Sequence, residues 1–249
     1  MKRTIDLNAD LGEGASSENE LLALVSSANI ACGFHAGDPG SMSGSILAAK
    51  KAGVAVGAHP GLADPENFGR RELPVTPDEV FALVVYQLGA FQAVASSLGV
   101  RPSHVKPHGA LYNMAARDPA LAEAVARALL AVDRSLILFA PGESALARAA
   151  GALELRVARE VFADRNYLPN GALVPRTRPD ALLHDPEQAA ARVLRMLREN
   201  IVRAVDGSDI LIQAETICVH GDTPEAVAFA ERLRRQLEAA DVSVAALSA

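Results

Sequence analysis

Four short stretches of the chain alternate apolar residues with polar or small residues, and three of them end in histidine. The stretches are 5–10, 54–59, 104–108 and 216–220. Side chains point to opposite faces along a β-strand, so each stretch predicts a strand with one apolar and one polar face. Strands of a parallel sheet are usually apolar on both faces, and burying an unpaired ionisable group is costly. The polar rows therefore indicate an interior that is functional or closely hydrogen-bonded.

Helical patterns separate these strands, so strand and helix alternate about seven times. Strands are predicted at 3–9, 28–32, 53–58, 103–107, 135–140, 155–162 and 215–219, with a small hairpin over 201–213. Helices are predicted at 18–27, 39–52, 77–98, 118–131, 143–150, 186–199 and 224–240. Five of these helices are expected to start at a capping Asp or Thr followed by Pro: Asp38, Thr76, Asp118, Asp185 and Thr223.

The alternation predicts an α/β fold, either a β/α barrel or a doubly wound sheet. The polar rows favour the barrel, in which alternate residues of every strand face one interior. Without an internal repeat or linker, residues 1–249 are predicted to form a single domain. Barrel active sites lie at the C-terminal ends of the strands. The polar residues at or just past these ends are Asp10, His35, His59, His108, Glu160, Asp164 and His220.

Composition narrows the classes of function. The chain has 249 residues, 50% of them hydrophobic, and a net charge of −6. Without a basic patch, neither nucleic acid nor a membrane surface is an expected partner. No stretch of 18 consecutive apolar residues occurs, and the early charges Lys2 and Arg3 argue against a signal peptide. Two cysteines do not make a disulfide framework, which favours a cytoplasmic location.

The first strand carries several candidate groups. Asp10 is interpreted as a general base or a metal ligand, whereas Asp6 and Asn8 also suit a purely structural hydrogen-bonding role. Glu13 belongs to the same group of carboxylates, and its structural alternative is a cap of the next turn. His35 follows a Gly-rich turn and suits either a site or a structural role.

Among the short motifs, Lys106-Pro107-His108-Gly109 most strongly indicates a catalytic site. Lys106 is expected to point inward, where a low dielectric can lower its pKa and allow it to polarise a carbonyl or form a Schiff base. A structural ion pair with Asp6, Asp10 or Glu160 is the alternative. Arg70, on the loop after His59, suits an anionic substrate or a solvated surface position.

Other combinations of residues are weaker. Cys218 and His220 share one strand face, and a zinc site from Cys32, His35, Cys218 and His220 lacks the usual ligand spacing. A site built from His and Asp residues stays open, and no divalent metal is assigned. No phosphate-binding loop or dinucleotide motif is present, so a nucleotide site within this chain is not expected.

Long motifs in order along the chain resemble the LamB/YcsF family. They are Asp6-Leu7-Asn8-Ala9-Asp10-Leu11-Gly12-Glu13, 27–38, Gly57-Ala58-His59-Pro60, Phe68-Gly69-Arg70, 104–113, 160–165 and 218–222. The stretch after Glu13 is shorter than in many members. The resemblance implies an irregular seven-stranded β/α (TIM-like) barrel related to polysaccharide deacetylases.

The resemblance also implies a reaction. This is the A-subunit role in a bacterial ATP-dependent 5-oxoprolinase, which converts 5-oxo-L-proline, ATP and water into L-glutamate, ADP and phosphate. Two further components, the B and C subunits, are implied. They are expected to bind ATP and to phosphorylate the lactam, because this chain shows no nucleotide motif. The present chain is then expected to open the activated ring.

The site hypothesis combines the resemblance with the strand-end positions. The predicted catalytic residues are Asp10, His59, Lys106, His108, Glu160 and His220. The predicted substrate-binding residues are Asn8, His35, Arg70, Asn113, Asp164 and Arg176. Replacing Lys106 by Met is expected to remove activity and leave folding intact. Two alternatives stay open: a metal-dependent amidase or deacetylase-type hydrolase, and a non-catalytic component that binds 5-oxoproline.

Overall fold

The computed structural model describes residues 3–219 and 226–248. In chain order its strands are β1 (Arg3–Leu11), β2 (Ser27–Ala31), β3 (Ala55–His59), β4 (His104–Val105), β5 (Ile137–Ala140), β6 (Val157–Phe162), β7 (Ile201–Arg203), β8 (Asp209–Leu211), β9 (Thr216–Val219) and β10 (Val242–Val244). Its helices are α1 (Glu18–Leu22), α2 (Pro39–Ala52), α3 (Pro77–Ser97), α4 (Gly109–Arg117), α5 (Pro119–Val132), α6 (Ala145–Ala152), α7 (Pro186–Glu199) and α8 (Ala226–Ala239). A 3₁₀ turn covers Pro65–Asn67.

Seven parallel strands close into a barrel. The pairing order is β1-β2-β3-β4-β5-β6-β9, and β9 pairs back onto β1. The predicted irregular seven-stranded barrel is therefore confirmed. β10 adds in parallel to the start of β1, outside the closed ring. β7 and β8 form a separate antiparallel hairpin, as predicted over 201–213.

Helix starts follow the capping chemistry of the sequence. Asp38, Asp118 and Asp185 each accept hydrogen bonds from two backbone amides at the first turn of α2, α5 and α7. Thr76 and Glu79 form a reciprocal capping box at the start of α3. These four predicted caps are confirmed, whereas Thr223 lies outside the described residues.

Three element predictions were incomplete. α4 was missed because its cap position is His108, which makes no side-chain capping bond and gives no Ser, Thr or Asp start signal. β10 was missed because it is short and depends on pairing with β1. The helix predicted to reach residue 27 ends at Leu22, since Ser26 turns inward and its amide donates to the Leu7 carbonyl.

α3 belongs to the outer layer of helices. Among the described residues it is the one helix that is long and apolar enough, by length and composition, to cross a membrane. Core helices of soluble proteins also have this composition. In the fold, α3 packs against α5, and Val84, Leu88 and Phe91 are buried.

Residues with small side chains leave room for polar groups inside the barrel. A Cβ on Gly57 would come within 2.2 Å of the His104 ring, so this glycine is required for the ring's position. His104 stacks on Phe139 and its Nε2 lies 2.9 Å from Asn29 Oδ1. The structural role expected for His104 fits this position, while His184 is exposed.

Candidate active site

A large cavity opens at the C-terminal ends of the barrel strands. Its volume is about 1190 Å³. The predicted site residues that line it are Asp10, His59, Arg70, Lys106, His108, Asn113, Glu160 and Arg176. Asn8, His35 and Asp164 do not line it, and His220 lies outside the described residues. Of these eight residues, four had been predicted at strand ends, and the strand-end rule thus brings those four together around one opening: Asp10, His59, His108 and Glu160.

Below the cavity floor, a hydrogen-bonded layer fills the barrel. Asp6 accepts hydrogen bonds from the hydroxyls of Ser26, Ser27 and Thr216. Burial raises the pKa of the Asp6 carboxyl despite these bonds. Asn8 is fully buried and donates to Thr216 and to Glu160. Asp6 and Asn8 therefore brace the interior, and Asn8 lies too deep to contact a ligand in the cavity.

Lys106 connects this layer to the cavity. Its Nζ lies 3.0 Å from Asp10 Oδ1, 3.0 Å from Glu160 Oε1 and 3.0 Å from Cys218 Sγ. A longer contact of 3.3 Å reaches Asn8 Oδ1. Burial alone lowers the pKa of the Lys106 ammonium, but the neighbouring acidic groups, Asp10 foremost, outweigh burial and raise this pKa well above its usual value.

This result corrects the expectation of a lowered Lys106 pKa. The interior carries two carboxylates within contact distance, and they favour the charged form more than burial disfavours it. Lys106 is therefore a fixed cation that orients Asp10 and Glu160. The ion-pair alternative is present, with these two partners and not with Asp6.

Beside this network, a carboxylate and three histidines form a cluster at the cavity edge. Glu13 Oε1 lies 3.0 Å from His35 Nε2, 3.3 Å from His108 Nδ1 and 3.8 Å from His59 Nε2. One nitrogen or oxygen from each residue lies within 4.8 Å of all the others, which is a possible metal-binding arrangement. We call Glu13, His35, His59 and His108 the Glu/His cluster. Among the described residues, neither Cys32 nor Cys218 belongs to this cluster.

Burial and mutual contacts set the protonation of the Glu/His cluster. Burial raises the Glu13 pKa, but hydrogen bonds from His108 and His35 outweigh it and lower this pKa below its usual value. Burial lowers the pKa of His35 to about 4 and also lowers that of His108. Burial likewise disfavours charged His59, yet the Asp10 carboxylate outweighs it and the His59 pKa is raised.

Glu13 was missed as a site residue. Its structural alternative was to cap the following turn, but Glu18 does this by accepting from the amides of Glu13 and Gly14. Gly12 has φ +73°, a left-handed conformation that favours glycine and turns the chain just after β1. The signal in the sequence was the position of Glu13, three residues past Asp10 and directly after that turn.

The loop after β3 closes over the Glu/His cluster. A Cβ on Gly61 would lie 2.5 Å from His35 Nδ1, and a Cβ on Gly69 would lie 2.6 Å from His35 Cβ. Gly69 also has φ +61°, which a side chain would strain. These two glycines let the backbone lie directly against the histidine rings.

Arginines surround the cavity mouth. Arg70 is exposed, and its guanidinium lies 4.9 Å from the centre of the Phe68 ring. Arg176 is partly exposed, while Arg165 is buried and donates to the Val174 carbonyl. Arg165 and Arg159 also line the cavity and had not been singled out as ligand contacts. Arg159 lies on β6, whereas Arg165 lies on the loop after β6, whose course cannot be deduced from periodicity.

The two cysteines are buried thiols. Burial raises the pKa of Cys32 to about 12. Burial also raises the pKa of Cys218 well above its usual value, and the nearby Lys106 ammonium only partly opposes this. Neither thiol is therefore suited to nucleophilic attack near neutral pH.

Known proteins share both the sequence and the fold. The family model described as LamB/YcsF matches residues 5–249. The chain is 52% identical to the 5-oxoprolinase A subunit of Methylococcus capsulatus, over 99% of this chain and 97% of that protein. It is 51% identical to the 5-oxoprolinase A subunit of Bordetella pertussis, over 99% and 100%.

Solved structures agree with this assignment. The lactam utilization protein from Thermus thermophilus superimposes with a TM-score of 0.91 at 45% identity, covering 98% of this chain and 100% of that one. A family 4 carbohydrate esterase from Streptomyces lividans shares only the fold, with a TM-score of 0.52 at 14% identity, over 99% of this chain and 93% of that one. From the whole-length match and these relatives, the chain belongs to the LamB/YcsF family.

Proposed function

We propose that this chain opens the ring of activated 5-oxo-L-proline to give L-glutamate, as the A subunit of an ATP-dependent 5-oxoprolinase. The observation that carries the proposal is the Asp10–Lys106–Glu160 network at the floor of the cavity. It presents a carboxylate, paired with the Lys106 ammonium, at the place where a barrel enzyme binds substrate. Relatives at about half identity that are named as the A subunit of 5-oxoprolinase support the choice of substrate.

The chemistry requires an activation step. A five-membered lactam is an unstrained amide and resists attack by water. Transfer of the ATP γ-phosphoryl group to the lactam oxygen makes the ring carbon a stronger electrophile. We assign this transfer to the B and C subunits, since the present chain carries no nucleotide-binding motif.

Asp10 is the residue that we propose takes a proton from the attacking water. Lys106 and the Asn29 amide both donate to Asp10 Oδ1, and this fixes the carboxylate at the cavity floor. A tenth of the Asp10 side chain is accessible. Water then adds to the ring carbon, the C–N bond breaks, and the leaving nitrogen receives a proton, which gives γ-glutamyl phosphate. A second water hydrolyses this acyl phosphate to glutamate and inorganic phosphate. General-base catalysis of this type contributes about 10²–10⁴-fold to a rate.

The remaining predicted catalytic residues surround this reaction centre. Glu160 is held by Lys106 and the Asn8 amide, and we propose that it orients water. His59 and His108 face the cavity beside Asp10, and they are the alternative proton acceptors when no metal ion occupies their lone pairs. His220 keeps its predicted proton-shuttling role as a hypothesis, because it lies outside the described residues.

The cavity mouth supplies positive charge for an anionic substrate. Arg70 and Arg176 line it, and guanidinium groups bind carboxylate and phosphate in a bidentate manner. We propose that these two arginines hold the carboxylate and phosphoryl groups, with Asn113 at the same rim. Asp164 does not line the cavity; burial lowers the pKa of the Arg165 guanidinium, and the negative charge of Asp164 only partly opposes this. We place the reaction in the cytoplasm, where ATP is available and both free cysteines stay reduced.

The test is glutamate release from 5-oxoproline by this chain, with each component omitted in turn. We expect glutamate only when this chain, both partner subunits and ATP are all present. Glutamate formation by the partners and ATP alone would contradict the proposed role of this chain.

A second candidate is a metal-dependent amidase or deacetylase-type hydrolase. The observation that favours it is the Glu/His cluster, which brings a carboxylate and three histidines together beside the cavity. This candidate predicts amide hydrolysis by the chain alone, without ATP, and loss of that activity on treatment with a chelator. Activity that requires ATP and the partners would instead support the first proposal.

A further inference from the structure

Backbone carbonyls fix the tautomers of two histidines in the Glu/His cluster. His59 Nδ1 lies 2.6 Å from the Lys106 carbonyl oxygen, and His108 Nε2 lies 2.8 Å from the Phe68 carbonyl oxygen. A carbonyl oxygen only accepts hydrogen bonds, so both of these nitrogens carry the N–H. In the neutral rings, His59 Nε2 and His108 Nδ1 are therefore the nitrogens with lone pairs.

These two lone pairs face each other and a carboxylate. His59 Nε2 lies 3.0 Å from His108 Nδ1. Glu13 Oε1 lies 3.3 Å from His108 Nδ1 and 3.8 Å from His59 Nε2. Three acceptors converging in a buried place repel one another unless a cation lies among them. That cation is either a proton on one ring or a metal ion.

Distances and ring angles suit a metal ion. Zinc binds nitrogen and oxygen at about 2.0–2.1 Å, so neighbouring ligand atoms of a tetrahedral site lie about 3.3 Å apart. The three separations here are 3.0, 3.3 and 3.8 Å. The rings of His59 and His108 are perpendicular, at 90°, so their in-plane lone pairs can converge on one point.

The same geometry excludes His35 from the set of ligands. Its ring stacks on that of His108 with centroids 3.7 Å apart and planes 2° from parallel. An ion in the plane of His108 lies well outside the plane of His35. His35 Nε2 instead lies 3.0 Å from Glu13 Oε1, where it can orient this carboxylate. Metal ligands are commonly oriented in this way by a neighbouring hydrogen bond.

We propose that Glu13, His59 and His108 bind one divalent transition-metal ion of the zinc class, with His35 as a positioning residue for Glu13. All three ligands line the cavity, whereas His35 does not. Three protein ligands with a further position open to the cavity are typical of catalytic and not structural zinc sites. His59 and His108 each donate a ring N–H to a backbone carbonyl, and zinc sites commonly use such hydrogen bonds to orient their histidine ligands.

The experiment measures binding directly, so its outcome is independent of the proposed reaction. The chain, without a polyhistidine tag, is stripped with a chelator and titrated with Zn²⁺ by calorimetry and with Co²⁺ by visible absorption. We expect one equivalent of metal per chain and the absorption of low-coordinate Co²⁺. We expect His59→Gln and His108→Gln each to weaken binding by more than 100-fold. We expect His35→Gln to weaken binding by about 10–100-fold, as for other orienting residues.

His184→Gln is the matched control, because His184 is exposed and distant in sequence from the cluster. We expect it to bind as the wild type does. A wild-type chain that takes up neither ion would overturn the proposal and assign the cation to a proton shared by His59 and His108. Unchanged affinity in the folded His59→Gln and His108→Gln variants would also overturn it. The wild-type titration decides even if a variant fails to fold.

Discussion

Replacing Lys106 by Met tests whether this residue stabilises the folded barrel in addition to its proposed role in the reaction. The substitution removes the ammonium group that lies 3.0 Å from both Asp10 and Glu160 and leaves two carboxylates in the barrel. Removing one partner of a buried ion pair costs about 3–5 kcal/mol, because the remaining charge is uncompensated. Domains of ordinary stability unfold at a cost of about 5–15 kcal/mol. We therefore expect K106M to lose a large part of the free energy of unfolding, together with activity.

The assay is urea unfolding of the purified chain, followed by circular dichroism. Lys51→Met is the matched control, since Lys51 is exposed on α2 and undergoes the same change of side chain. Exposed substitutions of this kind usually change the free energy of unfolding by less than about 0.5 kcal/mol. The double variant K106M/E160Q also removes the Glu160 carboxylate, which loses its ion-pair partner in K106M, whereas Asp10 keeps its contacts with Asn29 and His59. We expect it to be more stable than K106M.

Two results would refute this reasoning. One is a K106M chain whose free energy of unfolding lies within about 1 kcal/mol of the K51M chain, compared with a predicted difference of about 3–5 kcal/mol. The other is a double variant that is less stable than K106M. From the sequence alone, this substitution was expected to leave folding intact. Because Lys106 contacts both Asp10 and Glu160, we now expect it to destabilise the fold.

Three further predictions concern the cavity loop, the mouth and the thiols. Gly69→Ala should lower the unfolding temperature, because its φ is +61° and the new Cβ would lie 2.6 Å from His35 Cβ. Gly89→Ala should raise it, since Gly89 is in α3 with open space at the Cβ position and helical Ala is favoured by up to about 1 kcal/mol. Arg70→Met should raise the KM of the reconstituted enzyme for 5-oxoproline with little change in the unfolding temperature, whereas Arg71→Met, outside the cavity lining, should leave KM unchanged. Both cysteines should stay unreactive toward a disulfide reagent at pH 8 in the folded chain and react fully in urea. The reason is that burial raises the pKa of each thiol. Rapid labelling of the folded chain would contradict their burial.

The strand pattern was sufficient to predict the barrel and the location of the cavity. Alternation assigned Asp10, Lys106 and His108 to the interior side of their strands. In a parallel barrel the strand ends meet at one face, so local sequence was enough to group residues that are far apart in the chain. The irregular features were harder, because α4 and β10 depend on contacts with distant segments and not on their own start signals.

Details within the cavity depended on three-dimensional contacts. Glu13 enters the site only because the chain turns at Gly12, and no periodic pattern extends past that turn. The direction of the Lys106 pKa shift depends on how close Asp10 and Glu160 lie, and strand assignments do not give such distances. Asn8 was predicted to bind substrate, but it is fully buried in the hydrogen-bonded layer below the cavity floor.

The most direct test of the central claim compares wild type with Asp10→Asn in the complex reconstituted with both partner subunits. Glutamate and ADP are followed separately, and thermal unfolding confirms that the variant is folded. If Asp10 takes the proton from the attacking water, glutamate formation should fall by about 10²–10⁴-fold. A folded Asp10→Asn complex that forms glutamate within a few-fold of the wild-type rate would contradict the claim that this carboxylate carries out ring opening.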